Sequence, residues 1–191
     1  PDGKSERFLS PAELARLGEI LTVAEHDGVN PFAVAGLRLL ILTGCRKNEI
    51  LSLRWDAIDW ERACLRLLDS KTGAKVVPLG APALELLASL PRFEGNPFVL
   101  PSSAGKGHFT GLQKIWTEIR RRAELPEVRL HDLRHSFAAV AAAAGDSLLV
   151  IGSLLGQRDQ KATARYAHLS DTPVQSAANR TAGNIAAAMN G

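Results

Sequence analysis

The sequence has few of the residues from which disulfide frameworks, zinc sites and membrane spans are built. Its 191 residues include two cysteines, Cys45 and Cys64, which form neither a CxxC pair nor a Cys/His cluster. Neither a disulfide framework nor a zinc site is indicated, and we interpret both cysteines as small, buried or half-buried hydrophobic side chains. No segment approaches the roughly 18 apolar residues of a membrane span, and the N-terminal segment lacks a secretory signal pattern. These absences predict a soluble protein of the cytoplasm with no membrane partner.

The composition is that of one globular domain with a small excess of positive charge. Hydrophobic residues make up 46% and charged residues 23% of the chain, and the net charge is +3. This balance permits an acidic partner without requiring nucleic acid. Basic side chains group at 120–122 and punctuate the segment 62–75, where each group is either a solvated face or a phosphate contact. Because the chain begins at Pro1 without an initiator Met, we interpret 1–191 as one domain of a longer protein that lacks an N-terminal DNA-binding part.

Hydrophobic periodicity predicts a mostly helical α+β fold. Ser10-Pro11-Ala12-Glu13 is a helix start with a capping residue, and Asn30-Pro31 begins a second, buried helix that stops at Gly44. From 57 to 79 the period changes to that of about three antiparallel strands, with Lys71-Thr72-Gly73 at the turn between the last two. Further helices are predicted at 81–90, 111–123, 133–144, 147–155 and around 162–169. An Ala-rich helix at 174–189 has few large side chains for a core of its own, so the tail 172–191 is a candidate for docking on a partner protomer.

Arg46 follows the turn at Gly44 and precedes Glu49 by three residues, which places the two on one helix face. A guanidinium held by a carboxylate can be aimed at an anion, and it bonds two phosphate oxygens at once. The alternative interpretation is a surface ion pair that stabilises the helix by a few tenths of a kcal/mol.

His131 and Arg134 lie together at the start of another predicted helix, where we interpret Asp132 as the cap. The pair combines a group that ionises near neutral pH with a permanent cation, at a helix end that favours anions. In the alternative, the segment only caps the helix and its histidine bonds a backbone carbonyl.

Tyr166 is the only tyrosine of the chain. A free phenol is about one-thousandth ionised at neutral pH, so a nucleophilic tyrosine needs neighbouring cations or a base. Arg46, Arg134 and His131 would supply such an environment, whereas an isolated tyrosine ordinarily packs with its hydroxyl at the surface.

Four sequence boxes resemble, in order, those of the tyrosine recombinase or phage integrase family. They are T-G-C-R-K-N-E-I-L at 43–51, S-K-T-G-A-K-V-V-P-L at 70–79, H-D-L-R-H-S-F-A at 131–138 and L-L-G-Q-R-D-Q-K-A-T-A-R-Y-A-H at 154–168. The segment 7–14 is similar to the usual entry of its catalytic domain. The resemblance implies that domain's fold, with a small three-stranded sheet.

The resemblance also implies roles for individual side chains. Arg46 and Arg134 would clamp the scissile phosphate, Lys71 would protonate the departing 5'-hydroxyl, and His131 would assist proton transfer from the nucleophile Tyr166. Glu49 would brace the first arginine. The other DNA contacts are expected from Lys75, Arg120, Arg121, Arg122 and His135.

One position departs from the family pattern. The chain has Gln157 where members usually have His or Trp. An amide can donate a hydrogen bond to phosphate but carries no charge and exchanges no proton at neutral pH. The sequence therefore leaves open an impaired, DNA-binding relic of the family.

The implied reaction joins the 3'-phosphate of double-stranded DNA to Tyr166 and needs no metal and no ATP. Its partners would be duplex DNA and further copies of the chain, monomeric without DNA and tetrameric on two DNA sites, as in prophage integration or transfer of a mobile element. A type IB topoisomerase, which rejoins the original strand, is the enzymatic alternative.

Overall fold

A computed structural model describes residues 7–68, 73–144, 146–156 and 171–190 of the chain. The helices are α1 (Pro11–His26), α2 (Pro31–Thr43), α3 (Lys47–Leu51), α4 (Ala81–Ser89), α5 (Leu112–Arg122), α6 (Leu130–Ala143), α7 (Leu148–Leu154) and α8 (Asp171–Asn190). The strands are β1 (Ile58–Asp59), β2 (Cys64–Leu67) and β3 (Lys75–Pro78), in the order β1-β2-β3 with both pairs antiparallel. The predicted mostly helical fold with a small three-stranded sheet is confirmed.

The helix starts predicted from the sequence are confirmed at α1 and α2. The Ser10 hydroxyl accepts a hydrogen bond from the Glu13 amide at 3.2 Å, and the Ser10 amide donates to the Glu13 carboxylate at 2.8 Å. At α2 the Asn30 side chain accepts from the amide of Phe32 at 2.9 Å. These bonds satisfy amides that would otherwise lack partners at the helix start.

Helix α2 is the central element of the core. Of the eleven residues 33–43, all except Arg38 are buried, and the helix packs against α1, α3, α4, α5, α6 and α8. The helix ends at Gly44, whose φ of +63° is the left-handed conformation that ends many helices. The chain therefore turns sharply out of the core just before Arg46.

The sheet turns one face inward. Leu65 of β2 lies opposite Val77 of β3, and both are buried. Because alternate residues of a strand share a face, Lys75 points to the same side as Val77. The two cysteines, Cys45 and Cys64, are buried and free, as predicted.

Helix α8 packs on its own chain, mainly against α1 and α4. Most of its buried side chains are small, and two glycines of neighbouring elements let its backbone come close. A Cβ at Gly18 would lie 2.0 Å from the Met189 carbonyl oxygen, and one at Gly80 would lie 2.7 Å from the Cβ of Ala182. Helix α8 thus packs through close approach of its backbone instead of through large side chains. The Ala-rich pattern therefore underestimated how well this helix packs on its own chain. Docking of 172–191 on a partner protomer stays a prediction.

One predicted helix start differs from the structure, and one predicted helix lies outside the described residues. Helix α6 begins at Leu130, three residues before the predicted start, so Asp132 lies in its first turn instead of at the cap. The helix predicted around 162–169 lies outside the described residues. Within the described ranges, no helix is both long enough and apolar enough to cross a bilayer.

Candidate active site

Arg46 lies at the cap position of α3 and is held there by Glu49. Its backbone amide donates to Oε2 of Glu49 at 2.8 Å, and its Nη1 donates to Oε1 at 3.1 Å. The Glu49 side chain is buried, whereas the Arg46 side chain is 30% exposed. The carboxylate therefore fixes the base of the arginine and leaves part of the guanidinium facing outward.

Arg134 is buried in α6 and reaches the same turn. Its Nη1 donates to the Gly44 carbonyl oxygen at 2.5 Å, and both terminal nitrogens lie 3.5 Å from the Leu155 carbonyl oxygen. Burial lowers the pKa of Arg134 from its ordinary value, and the nearby charge of Arg46 lowers it further. The structure therefore brings the two predicted arginines into one cluster, and their mutual repulsion favours an anion beside them.

Lys75 is part of this cluster and is not on the surface. Its Nζ donates to Oε2 of Glu49 at 2.8 Å and to the Leu155 carbonyl oxygen at 3.3 Å, and its side chain is 2% exposed. A lysine so enclosed has no free path to a DNA backbone. This enclosure disfavours a contact between Lys75 and DNA, which stays a prediction.

Glu49 is the one carboxylate that joins these cations among the described residues. Burial acts against its ionisation, but hydrogen bonds from Lys75 and from the Arg46 amide outweigh this, and its pKa lies below the ordinary value. The side chain is ionised at neutral pH. It binds both Arg46 and Lys75. Its role of bracing Arg46 for a phosphate stays a prediction.

His131 lies in the first turn of α6, three residues before Arg134, and is exposed to solvent. Its ring meets that of His135 edge to face, with centroids 4.8 Å apart. Burial of part of the ring lowers the pKa of His131 below 6.5, and the neighbouring His135 and Arg134 lower it further. The imidazole is therefore neutral at pH 7 and able to accept a proton.

An open depression of about 280 Å³ adjoins His131. It is lined by Cys45, Lys47, Gln113, Arg129, Leu130 and His131. The start of α6 forms one wall, because the Asp132 carboxylate accepts bonds from the Arg129 amide at 2.7 Å and from its Nη2 at 2.6 Å. Burial raises the pKa of Asp132, but these bonds dominate and hold it below the ordinary value. The helix start is thus a rigid edge of the site.

Three predicted residues, Lys71, Gln157 and Tyr166, lie outside the described residues. The described chain on the near side of Gln157 does adjoin the cluster. A Cβ placed on Gly156 would lie 2.9 Å from Cδ of Lys75 and 3.0 Å from the Val76 carbonyl oxygen. The segment that leads to Gln157 therefore starts against strand β3.

The three arginines at the end of α5 make separate contacts. Arg120 donates to the Val128 carbonyl oxygen at 3.0 Å, Arg121 pairs with Glu118 at 2.7 Å, and Arg122 pairs with Asp27 at 2.7 Å. Consecutive helix residues point about 100° apart, so they do not form one continuous patch. Their part in DNA binding, like that of His135, stays a prediction.

Sequence comparison places the chain among known proteins. The sequence profile described as the phage integrase family matches residues 7–172. Prophage integrase IntF of Escherichia coli (strain K12) is 35% identical over 117 residues, which are 59% of this chain and 25% of IntF. Tyrosine recombinase XerD of Pseudomonas putida is 27% identical over 179 residues, which are 88% of this chain and 59% of XerD. The chain thus spans from a quarter to about three fifths of these relatives.

Comparison of structures gives the same fold. The integrase from mycobacterium phage Brujita has a TM-score of 0.72 at 19% identity, over 97% of this chain and 65% of that one. The XerH site-specific recombinase bound to difH substrate has a TM-score of 0.62 at 24% identity, over 88% of this chain and 52% of XerH.

Proposed function

Because the chain belongs to the phage integrase family, we propose that it is the catalytic domain of a site-specific tyrosine recombinase. The observation that carries the proposal is the joining of Arg46 and Arg134, 88 positions apart in the sequence, around the turn at Gly44. Glu49 is the carboxylate of this cluster and binds Arg46 and Lys75, so the two guanidinium groups and the ammonium group together leave an excess of positive charge. A phosphodiester is an anion that this arrangement suits, because each guanidinium can donate two hydrogen bonds to phosphate oxygens.

In the proposed reaction the Tyr166 phenol oxygen attacks the scissile phosphorus. A bond forms between this oxygen and phosphorus, and the bond from phosphorus to the 5'-oxygen breaks. The phenol proton passes to neutral His131, and Lys71 gives a proton to the departing 5'-oxygen. Arg46 and Arg134 stabilise the charge that develops on the other phosphate oxygens, a contribution of about a hundredfold or more for each lost donor.

The 5'-hydroxyl of a second duplex then attacks the 3'-phosphotyrosyl link and releases Tyr166. One phosphoester bond is exchanged for another in each step, so the reaction draws on no ATP. In the proposal Arg46 and Arg134 stabilise the developing charge, the role that a metal ion has in other phosphoryl transfers. Exchange between two duplexes requires several copies of the chain. We therefore include in the proposal a tetramer on two DNA sites, a monomer without DNA, and a location in the bacterial cytosol.

Gln157 supports one competing function, a relic that binds DNA without cleaving it. An assay with nicked suicide duplexes, made from the DNA repeats that flank the reading frame, separates the two. The nick lets the short 5'-hydroxyl strand leave after cleavage, which traps the covalent adduct. We expect an adduct that resists denaturation with the wild type and none with Tyr166→Phe. Salt-sensitive binding without any adduct would support the relic.

A second duplex in the same assay separates recombinase from topoisomerase. Transfer of the trapped strand to the new duplex is the expected result for a recombinase. Relaxation of supercoiled DNA with no such transfer would support a type IB topoisomerase.

A further inference from the structure

Lys75 has an unusual position for a lysine. It is on the inward face of β3, next to the fully buried Val77, and its Nζ bonds Glu49 and the Leu155 carbonyl oxygen. A lysine loses much hydration free energy on burial, so it is almost never buried without a partner. Its position therefore requires an explanation beyond the packing of the sheet.

Stability is a poor explanation. Replacing a buried ion pair by apolar side chains of similar volume is often neutral or stabilising, because the cost of desolvation is removed. A Met at position 75 would fill a similar volume on this face. The ion pair with Glu49 is thus more informative about the charge of the site than about the strength of the fold.

The charge of Glu49 must be balanced for Arg46 to attract a phosphate. The carboxylate accepts two bonds from Arg46, through its amide and its Nη1, and with no other partner it would neutralise the guanidinium. Lys75 binds Oε2 of the same carboxylate. The ammonium group of Lys75 offsets the negative charge of Glu49, so the guanidinium of Arg46 can still attract an anion at its exposed side.

Lys75 also connects parts of the chain whose relative positions matter for the proposed reaction. The Leu155 carbonyl oxygen that accepts from Lys75 lies 3.5 Å from Nη1 and Nη2 of Arg134. Leu155 is two residues before Gln157 in the sequence, and Lys75 is four residues after Lys71. One ammonium group thus connects strand β3, the arginine pair and the chain entering the last sequence box.

We propose that Lys75 is a positioning residue for DNA cleavage, which neutralises Glu49 and thereby preserves the net positive charge and the orientation of the arginine pair. The inference rests on the proposed function. Lys75 acts through Glu49 and Leu155 and makes no contact with DNA. It should therefore affect the rate of cleavage much more than the affinity for DNA.

The test compares Lys75→Met with wild type and with Lys106→Met, a matched change at an exposed loop position. Single-turnover adduct formation on the suicide duplex measures cleavage, and a gel shift measures affinity. We expect Lys75→Met to cleave roughly 30- to 100-fold more slowly, which is less than the hundredfold or more lost when a transition-state donor is itself removed, with affinity changed about threefold or less. Lys106→Met should match wild type.

Two further variants distinguish charge balance from a merely structural role. Lys75→Arg keeps the charge and should recover at least about fivefold of the lost rate. Glu49→Gln combined with Lys75→Met removes both charges of the pair and leaves no unpaired buried carboxylate. This double variant should cleave at least about fivefold faster than Lys75→Met alone, and it also serves as the test if the single variant fails to fold.

A substrate with sulphur in place of the scissile 5'-oxygen separates the arginine pair from Lys71. A thiol has a pKa of about 8.5, so a thiolate leaves without a proton donor. The defect of Lys75→Met should persist on this substrate, because it arises at the arginines. Restoration to the wild-type rate would show that Lys75 serves Lys71, and would overturn the proposal.

Wild-type cleavage by Lys75→Met, or a loss that only parallels weakened binding, would overturn it as well. Failure of the proposed function is distinguishable, since wild type and Lys106→Met would then both form no adduct.

Discussion

Substitution of Gly44 by alanine should damage the turn on which both arginines depend. Gly44 has φ +63°, and an added Cβ would lie 2.7 Å from Cδ1 of Phe137 and 2.8 Å from Cδ2 of Leu155. The left-handed conformation costs a residue with a Cβ about 1–2 kcal/mol. Overpacking adds about 1–3 kcal/mol, because the two contacted side chains are buried core residues. We expect Gly44→Ala to lower the free energy of unfolding by about 2–5 kcal/mol.

Gly28→Ala is the matched control. Gly28 has φ +77°, and no atom lies within 4 Å of an added Cβ. An alanine at position 28 therefore has the cost of the left-handed conformation without any cost of overpacking. Thermal unfolding measures both, at about 2–4 °C per kcal/mol for a chain of this length. Gly44→Ala should lower Tm by several degrees more than Gly28→Ala. Equal losses would refute the close packing of Phe137 and Leu155 around this turn.

Two further predictions concern acid stability and the packing of α8. Hydrogen bonding from Arg7 lowers the pKa of Glu13 to about 2. The ionised Glu13 therefore stabilises the fold fully above about pH 4.5, and this stabilisation is lost as the pH falls toward 2. Because the Arg7 side chain is 39% exposed, we expect the contribution to the free energy of unfolding to be about 1–2 kcal/mol. Denaturant unfolding should show Glu13→Gln less stable at pH 7 and equal to wild type near pH 2; a constant difference would contradict this. Gly18→Ala should lower the free energy of unfolding by about 1–3 kcal/mol, because the added Cβ collides with Met189. Gly183→Ala, with no atom within 4 Å of the added Cβ, should stabilise the protein slightly. Chemical denaturation that ranks the two variants in the opposite order would refute the close approach of α8.

Local patterns predicted the parts of the fold that depend on neighbouring residues. The capping box at Ser10, the stop at Gly44 and the three strands follow from bonds and periods within a few positions. The inward position of Lys75 was also available from such a pattern, because it alternates with Val77 and Leu79 on one strand face. The period of two thus indicates a core position, whereas the positive charge favours a DNA contact, which stays a prediction.

Long-range contacts could not be predicted in this way. The bond from Lys75 to Glu49 joins positions 26 apart, and that from Arg134 to Gly44 joins positions 90 apart. Helix α8 is similar, since Gly18 becomes a packing residue only when Met189 reaches it. A pattern within one segment holds no information on such partners. Family resemblance supplied the pairing of Arg46 with Arg134, but gave Lys75 no place in the cluster.

The cost of the buried cations is itself an argument about function. Arg134 is 6% exposed and its hydrogen bonds go to carbonyl oxygens, which satisfy its donors but do not neutralise its charge. An apolar side chain would avoid the desolvation penalty, so this arrangement is unfavourable in the free protein unless an anion completes it. The anion must also reach the site from the side of Arg46, because the side chain of Arg46 is the exposed member of the pair. A bound phosphodiester meets both conditions, and a transition state with more charge on its oxygens meets them better than the ground state, which is the requirement for catalysis.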